Sequence, residues 1–322
     1  MRLSAPITGD IGQNGTRMVK LTEKVKRIAQ ANEIDYIGVA PVDRFANAPE
    51  GHKPDDLLPG AGAVISMGMR INLGPQLTQR MALANNKLRH ISFSYRWFGY
   101  AMLNLYFLDR AAFLVVKLLE EAGHIAVPIV ASGVEDLKNL MAAFSNRHAA
   151  VAAGLGELGW SGLVLTPDVG PRVRLVSVIT TANLTLDPMY TGPKLCDPDR
   201  CKELGQGLPL CAAVCPVDSF SIDSTVEAII GGRKFEYGLM NHHLCGLVGL
   251  GLHPKVLGPK NMTVTKKAGS RTGIRLSGEP PPEYQLESTV YGRGHFCGLC
   301  LLECPVGKPE LVDHFMKEFR RR

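Results

Sequence analysis

Cysteine is absent from the first 195 residues of this 322-residue chain, and all eight cysteines fall between Cys196 and Cys304. Eight thiols are too few to scaffold a chain of this size with disulfides, and inert buried thiols would be scattered rather than clustered. Long apolar runs are also lacking. Nothing approaches the roughly 18 uninterrupted apolar residues of a membrane span, so no membrane partner is expected. Charge of one sign is scarce: 36 basic and 30 acidic residues leave a net +6, too mild to argue for a nucleic-acid partner. The first fifteen residues lack the apolar stretch and twin arginine of an export signal, which makes the cytoplasm the expected compartment. With 45% apolar and 20% charged residues, disorder, collagen and coiled coil are excluded. What remains is a globular protein of one or two domains with a substantial core.

Residues 1–19, rich in Gly, Asn and Thr, predict a loose arm. Helical spacing begins at Leu21 with Val25, Ile28 and Ala29. Tyr36–Ala40 and Ala63–Met67 predict buried strands, and a long helix is predicted from Tyr100 to Ala122, stopped by Gly123. Ile125–Val130 predicts a strand held to an edge or bulge by Pro128, and Val173–Thr181 predicts the clearest strand. Strands alternating with helices over residues 20–185 indicate a layered α/β or α+β fold. After Asp187-Pro188, cysteines, prolines and short segments take over. The polar stretch at about 259–287 shows no periodicity and predicts a long surface loop. The expected organisation is an arm (1–19), an α/β domain (20–190) and a cysteine domain (191–322).

The cysteines read Cys196-x4-Cys201-x9-Cys211-x3-Cys215-Pro216, then an isolated Cys245, then Cys297-x2-Cys300-x3-Cys304-Pro305. In a C-x2-C-x3-C-P run the close thiolates wrap one corner of a cubane, while the Cys-Pro turns the last thiolate towards a different cluster. Eight cysteines supply two 4Fe–4S clusters with none left over. Crossing the last cysteine of each run groups Cys196, Cys201, Cys211 and Cys304 for one cluster, and Cys215, Cys245, Cys297 and Cys300 for the other. Zinc is the rival reading. Structural zinc sites often pair two C-x2-C units, whereas this chain has one such unit and two Cys-Pro endings, which favours iron–sulfur.

These cysteine runs resemble the double-cluster region of epoxyqueuosine reductases and respiratory reductive dehalogenases. Two upstream stretches are similar to the same families: Ala153-Gly154-Leu155-Gly156-Glu157-Leu158-Gly159 with Leu163–Pro167, and Leu57-Leu58-Pro59-Gly60-Ala61. The resemblance covers about residues 20–305. It implies a nitroreductase-like α/β domain holding a corrinoid (cobalamin with its lower base detached), followed by a ferredoxin-like domain with both clusters. It further implies that the clusters feed electrons singly to cobalt, that reduced cobalt acts on the substrate, and that a nearby acid supplies a proton. By motif position, Gly154, Gly156, Ser161, Gly162 and Leu163 would lie against the corrin. Equally, Gly154, Gly156 and Gly159 could serve only a tight helix–strand junction.

Two departures bear on substrate. An aspartate about thirteen residues before the Ala of the glycine motif serves epoxyqueuosine reductases as proton donor. Here that count reaches Leu140 in a segment without acids, and Glu135 and Asp136 lie further upstream. The chain also ends 18 residues after Cys304, which predicts no tRNA-gripping domain. The proton donor is therefore sought in Tyr95 with Arg96, in Tyr100, or in His148, whose imidazole would titrate near neutrality. Tyr106 is assigned to the core and His242-His243 to the surface. The expected function is a cytoplasmic iron–sulfur oxidoreductase that is corrinoid-dependent. It would dehalogenate or deoxygenate a small organic substrate with electrons from a ferredoxin or flavodoxin. A double-cluster electron carrier without corrinoid is the alternative, and a tRNA reductase ranks third.

Overall fold

The computed structural model describes residues 11–133, 136, 141–249, 253–256, 263–266, 274–278 and 297–321. Four strands make the central sheet: β1 (Tyr36–Pro41), β2 (Ala63–Arg70), β3 (Ala126–Ile129) and, beyond a short pairing of β4 (Glu157–Leu158) with β5 (Val164–Leu165), β6 (Val173–Thr180). Their order is β1-β2-β6-β3 and every pairing is antiparallel, so the mixture of helix and strand is of the α+β kind. Among the described residues strand β3 pairs with β6 alone and so forms an edge, where Pro128, lacking an N–H, is tolerated.

Alternation along the central strands builds two cores, one on each face. Ala63, Ile65 and Met67 of β2 and Val176 and Val178 of β6 enter one core with Val25, Leu108, Val115 and Leu119 from the helices. Val64, Leu175 and Ile179 point the other way, onto Ala149–Ala153 of the helix Asn146–Ala152 and its exit. That helix is almost all alanine on its buried side, and Gly38 lets it lie close. A Cβ at Gly38 would come within 2.2 Å of the Ala153 carbonyl oxygen. Both faces of β2 are therefore covered, and truncating a fully buried residue such as Ile65 to Ala would cost about 2–5 kcal/mol.

Several elements differ from the sequence reading. The first helix runs Ile11–Ala31, so residues 11–19 are helical rather than a loose arm. No proline interrupts them, and a helix already docked through Val25 and Ala29 propagates at little cost. The predicted long helix begins at Ser92 and contains a π-helical stretch, Trp97–Leu108, before the α-helix Asp109–Glu121. Bonding from i to i+5 takes more residues per turn than an α-helix, which rotates the extrapolated apolar face. Tyr106, assigned to the core, is 57% exposed for this reason.

A long hairpin of β7 (Phe220–Ile230) and β8 (Arg233–Met240) occupies a region read as short segments. Gly231 and Gly232, both at positive φ, form its turn. Within the stretch read as structureless, β9 (Thr263–Lys266) pairs with β10 (Ile274–Ser277). Finally, Leu301 and Leu302 of the last cysteine run join the same core as β2 and β6. Among the described residues no helix is long and apolar enough to cross a membrane.

Candidate functional site

Cys196, Cys201, Cys211 and Cys304 line one cavity of about 230 Å³, together with Gly159, Trp160 and Ser161. Each thiol is delivered by a short, well-anchored segment. The Glu157 carboxylate accepts the Leu195 and Cys196 amides at 2.5 and 3.0 Å, fixing the extended segment that carries Cys196. Cys201 lies in the helix Pro198–Leu204, capped by the Asp197 side chain with Pro198 in its first turn. Cys211 lies in the turn Leu210–Ala213, and Cys304 follows the turn Leu299–Leu302. An amide points at the first sulfur, Trp160 N–H donating to Cys196 Sγ at 3.2 Å, and the nearby amides of Leu210, Ala212 and Val306 favour the thiolates of Cys201, Cys211 and Cys304. Burial, and then the neighbouring thiols, push Cys211 up to about 12; burial pushes Cys196 up to about 11. Such thiols ionise only against a cation that repays the burial of charge.

Cys297 and Cys300 lie close enough to Cys215 and Cys245 to feel their charge, and Cys245 feels that of Cys215. Cys300 also feels Cys211, so the two groups adjoin. Ser219 N–H donates to Cys215 Sγ at 3.3 Å, and Gln79 Nε2 donates to the Cys297 carbonyl at 3.1 Å. Cys245, in the helix His242–Gly249, is exposed. Among the described residues no three His, Cys, Asp or Glu side chains are set for a single metal ion.

A second cavity, of about 800 Å³, lies between the helix Asn146–Ala152 and the β7–β8 hairpin. Phe45, Phe144, Ile230 and Tyr237 give it apolar walls, with Arg147 and His148 among its polar ones. Ser145 Oγ accepts the His148 amide at 3.3 Å and so starts the helix that presents both. Arg147 Nη1 donates to the Gly162 carbonyl at 2.7 Å, and burial holds its guanidinium below the usual arginine range. Burial, with Arg147 beside it, pulls His148 down to about 4. Its imidazole is therefore neutral at pH 7 and does not titrate there, which corrects its reading as a neutral-pH acid.

The turn Gly159–Gly162, closed by Gly162 N–H to the Gly159 carbonyl at 2.8 Å, separates the two cavities. Ser161 lines the thiol cavity, whereas Gly162 abuts Tyr237 and Arg147 of the larger one. Leu163 packs on the first core. Gly154 and Gly156 line neither cavity. Their missing side chains make room for backbone, since a Cβ would come within 2.1 Å of the Pro188 carbonyl oxygen and 1.9 Å of that of Leu165. Tyr95 is wholly buried, its hydroxyl 3.2 Å from Arg174 Nη2. Arg96 lies over the Phe93 ring. Tyr100 stacks under the Arg174 guanidinium at 4.8 Å and hydrogen-bonds Ser132, which lines the larger cavity. His242, read as a surface residue, lines that cavity too. Asp136 bridges to Met141 through two backbone hydrogen bonds, and Met141 is a further lining residue; Glu135 and Leu140 lie outside the described residues.

Sequence reasoning missed the hairpin wall, although Gly231-Gly232 between alternating runs was its signal. It also missed Glu157 and Arg174, whose partners are remote in the chain and leave no local pattern.

No protein-family model matches the chain, and no curated protein matches it. Solved structures do. An epoxyqueuosine reductase with an epoxyqueuosine-modified tRNA stem loop aligns over 89% of this chain and 65% of its own, at 16% identity and a TM-score of 0.45. The epoxyqueuosine reductase from Bacillus subtilis aligns over 90% and 66%, at 17% identity and a TM-score of 0.46. A catabolic reductive dehalogenase in complex with 3-bromo-4-hydroxybenzoic acid aligns over 74% and 33%, at 15% identity and a TM-score of 0.46. The chain thus spans about two thirds of the reductases' length and a third of the dehalogenase's. Its structural neighbours are epoxyqueuosine reductases and reductive dehalogenases.

Proposed function

We propose that this chain is an iron–sulfur reductase in which two 4Fe–4S clusters pass electrons to a corrinoid held in the larger cavity. The observation that carries the reading is the placement of four thiols around one cavity, one turn away from a second cavity large enough for an organic ligand. Three further features support clusters over zinc. Among the described residues no close-set trio of donors suits a single ion. Amide N–H groups converge on the sulfurs, as the anionic thiolates of a cluster require. Eight free thiols, seven of them half-buried, meet the demand of two cubanes. The larger cavity falls within the range of about 300–1,000 Å³ of small-molecule sites, and its aromatic and aliphatic walls suit a flat ring.

In this reading Cys196, Cys201, Cys211 and Cys304 hold the inner cluster, and Cys215, Cys245, Cys297 and Cys300 the outer one. Exposure of Cys245 makes the outer cluster the point where a ferredoxin- or flavodoxin-like donor delivers electrons. A bound corrinoid would supply a low-potential cobalt centre able to act on a carbon–halogen or carbon–oxygen bond. Arg147 braces the Gly159–Gly162 partition through the Gly162 carbonyl, and neutral His148 offers the ligand a hydrogen bond without charge. Tyr100, oriented by Arg174 and Ser132, supplies the proton. Overall, the substrate takes two electrons and one proton and releases its leaving group as an anion. The substrate is a small halogenated or oxygenated molecule.

The test begins with anaerobic reconstitution, which should load about eight irons per chain. Added cobalamin should then give the EPR signal of Co(II) with its lower base detached. Clusters with an unchanged cobalamin spectrum would establish the carrier reading instead, and turnover of an epoxyqueuosine-containing stem loop, but not of a halogenated phenol, would establish the tRNA reductase. Replacing Cys297 with Ser should remove one cluster's iron and spare the other; zinc in place of iron sinks the reading.

A further inference from the structure

Arg172 is 1% exposed and has no carboxylate of its own among the described residues. Its guanidinium serves four backbone carbonyls. Nη1 donates to Val169 at 3.0 Å and to Val306 at 2.8 Å, while Nη2 donates to Leu302 at 3.1 Å and to Cys304. Three of those four oxygens belong to the turn that carries Cys304. The nearby acids are taken: Glu303 pairs with Arg80 at 2.8 Å, and Asp313 pairs with Lys308 at 2.6 Å. Arg172 Nε is buried with no hydrogen-bond partner.

Backbone packing locks the same junction. A Cβ on Gly170 would come within 2.1 Å of the Val306 carbonyl oxygen, and one on Gly307 within 2.6 Å of Gly170 N. The loop before β6 and the Cys-Pro turn are therefore seated chain against chain, with Arg172 reaching across to the carbonyls on both sides of Cys304. A buried cation satisfied by carbonyls alone is costly, because its charge is left uncompensated. Four thiolates around an iron–sulfur core are anionic, and the one thiol Arg172 holds in place, Cys304, lines that cavity.

We infer that Arg172 is a positioning residue for the inner cluster: it fixes the Cys304 turn against the α+β core and supplies the buried positive charge that offsets the loaded cluster. This rests on the cluster reading above. A planar fork is required for the first task and only a charge for the second, so the two substitutions Arg172→Lys and Arg172→Met separate them.

The experiment reconstitutes wild type and both variants anaerobically, then measures iron per chain and the midpoint potential of each cluster by EPR-monitored redox titration. Wild type with about eight irons secures the underlying reading, and wild type without them defeats that reading before Arg172 is at issue. Arg172→Met should lose roughly half the iron, or keep it with the inner cluster's potential lowered and the outer one's unchanged. Arg172→Lys, which keeps the charge, should show weaker loading of the inner cluster at a potential close to wild type. It decides the matter alone if Arg172→Met does not fold. Overturning results are unchanged loading and potential in a folded variant, or equal loss of both clusters in Arg172→Lys.

Discussion

At His148, burial and the adjacent Arg147 act in the same direction, and the consequence for stability has a definite sign. Unfolded, the imidazole titrates near 6.5; folded, it is drawn down to about 4. Between those values the unfolded chain binds more protons, so stability rises with pH across the window and is lost as pH falls from 6.5 towards 4. The full difference is on the order of 3 kcal/mol. His148→Gln should flatten this dependence. Urea unfolding at pH 4.5 and 7 would test it, and equal pH slopes for variant and wild type would refute the account. Tyr100→Phe should leave the urea midpoint nearly unchanged and, if Tyr100 is the proton donor, cut turnover about 100-fold or more with the clusters still loaded. Residue chemistry of this local kind was partly legible in the sequence. The thiols announced themselves by spacing, and Tyr100 and His148 by residue type. Arg172 and Arg174 did not, because each acts on groups far away in the chain.

Elements were legible where one periodicity ran unbroken. Strands β2 and β6 are long, apolar and buried on both faces, and both are plain in the sequence. The helix through Trp97–Leu108 was not, because π bonding moves side chains off the face that α spacing assigns. The β7–β8 hairpin was masked by its many exposed polar residues, which follow from its outer face meeting water. Glycines in the junction between the helix Asn146–Ala152 and β6 illustrate element packing more sharply. Gly156→Ala should destabilise the fold by about 2 kcal/mol or more, because a methyl there meets the Leu165 carbonyl. Gly74→Ala, in the helix Leu73–Ala84 with open space around it, should be neutral or stabilise by up to about 1 kcal/mol. Comparable losses at both positions in urea titrations would contradict the packing described.

For the whole molecule, the cysteine run Cys297–Cys304 is held by residues that precede the first cysteine: Gln79, Arg80 and Arg172. Loaded clusters would add thiolate bonds across that same junction, and ligation of the native state stabilises it by mass action. Stripping iron with a chelator should therefore lower Tm by several degrees. It should also speed amide exchange most around residues 196–211 and 297–307, with β2 and β6 spared. Identical melting and exchange with and without iron would count against clusters bridging the two halves.

The sequence alone determined the donor chemistry and the local elements, because thiol spacing and apolar periodicity are properties of neighbouring residues. It did not determine that Arg172 faces Cys304, that a hairpin walls the larger cavity, or that a glycine turn parts it from the thiols. Those contacts join segments separated by most of a domain. Only the packing of the alanine-rich helix and the last cysteine run onto one sheet brings them within bonding distance.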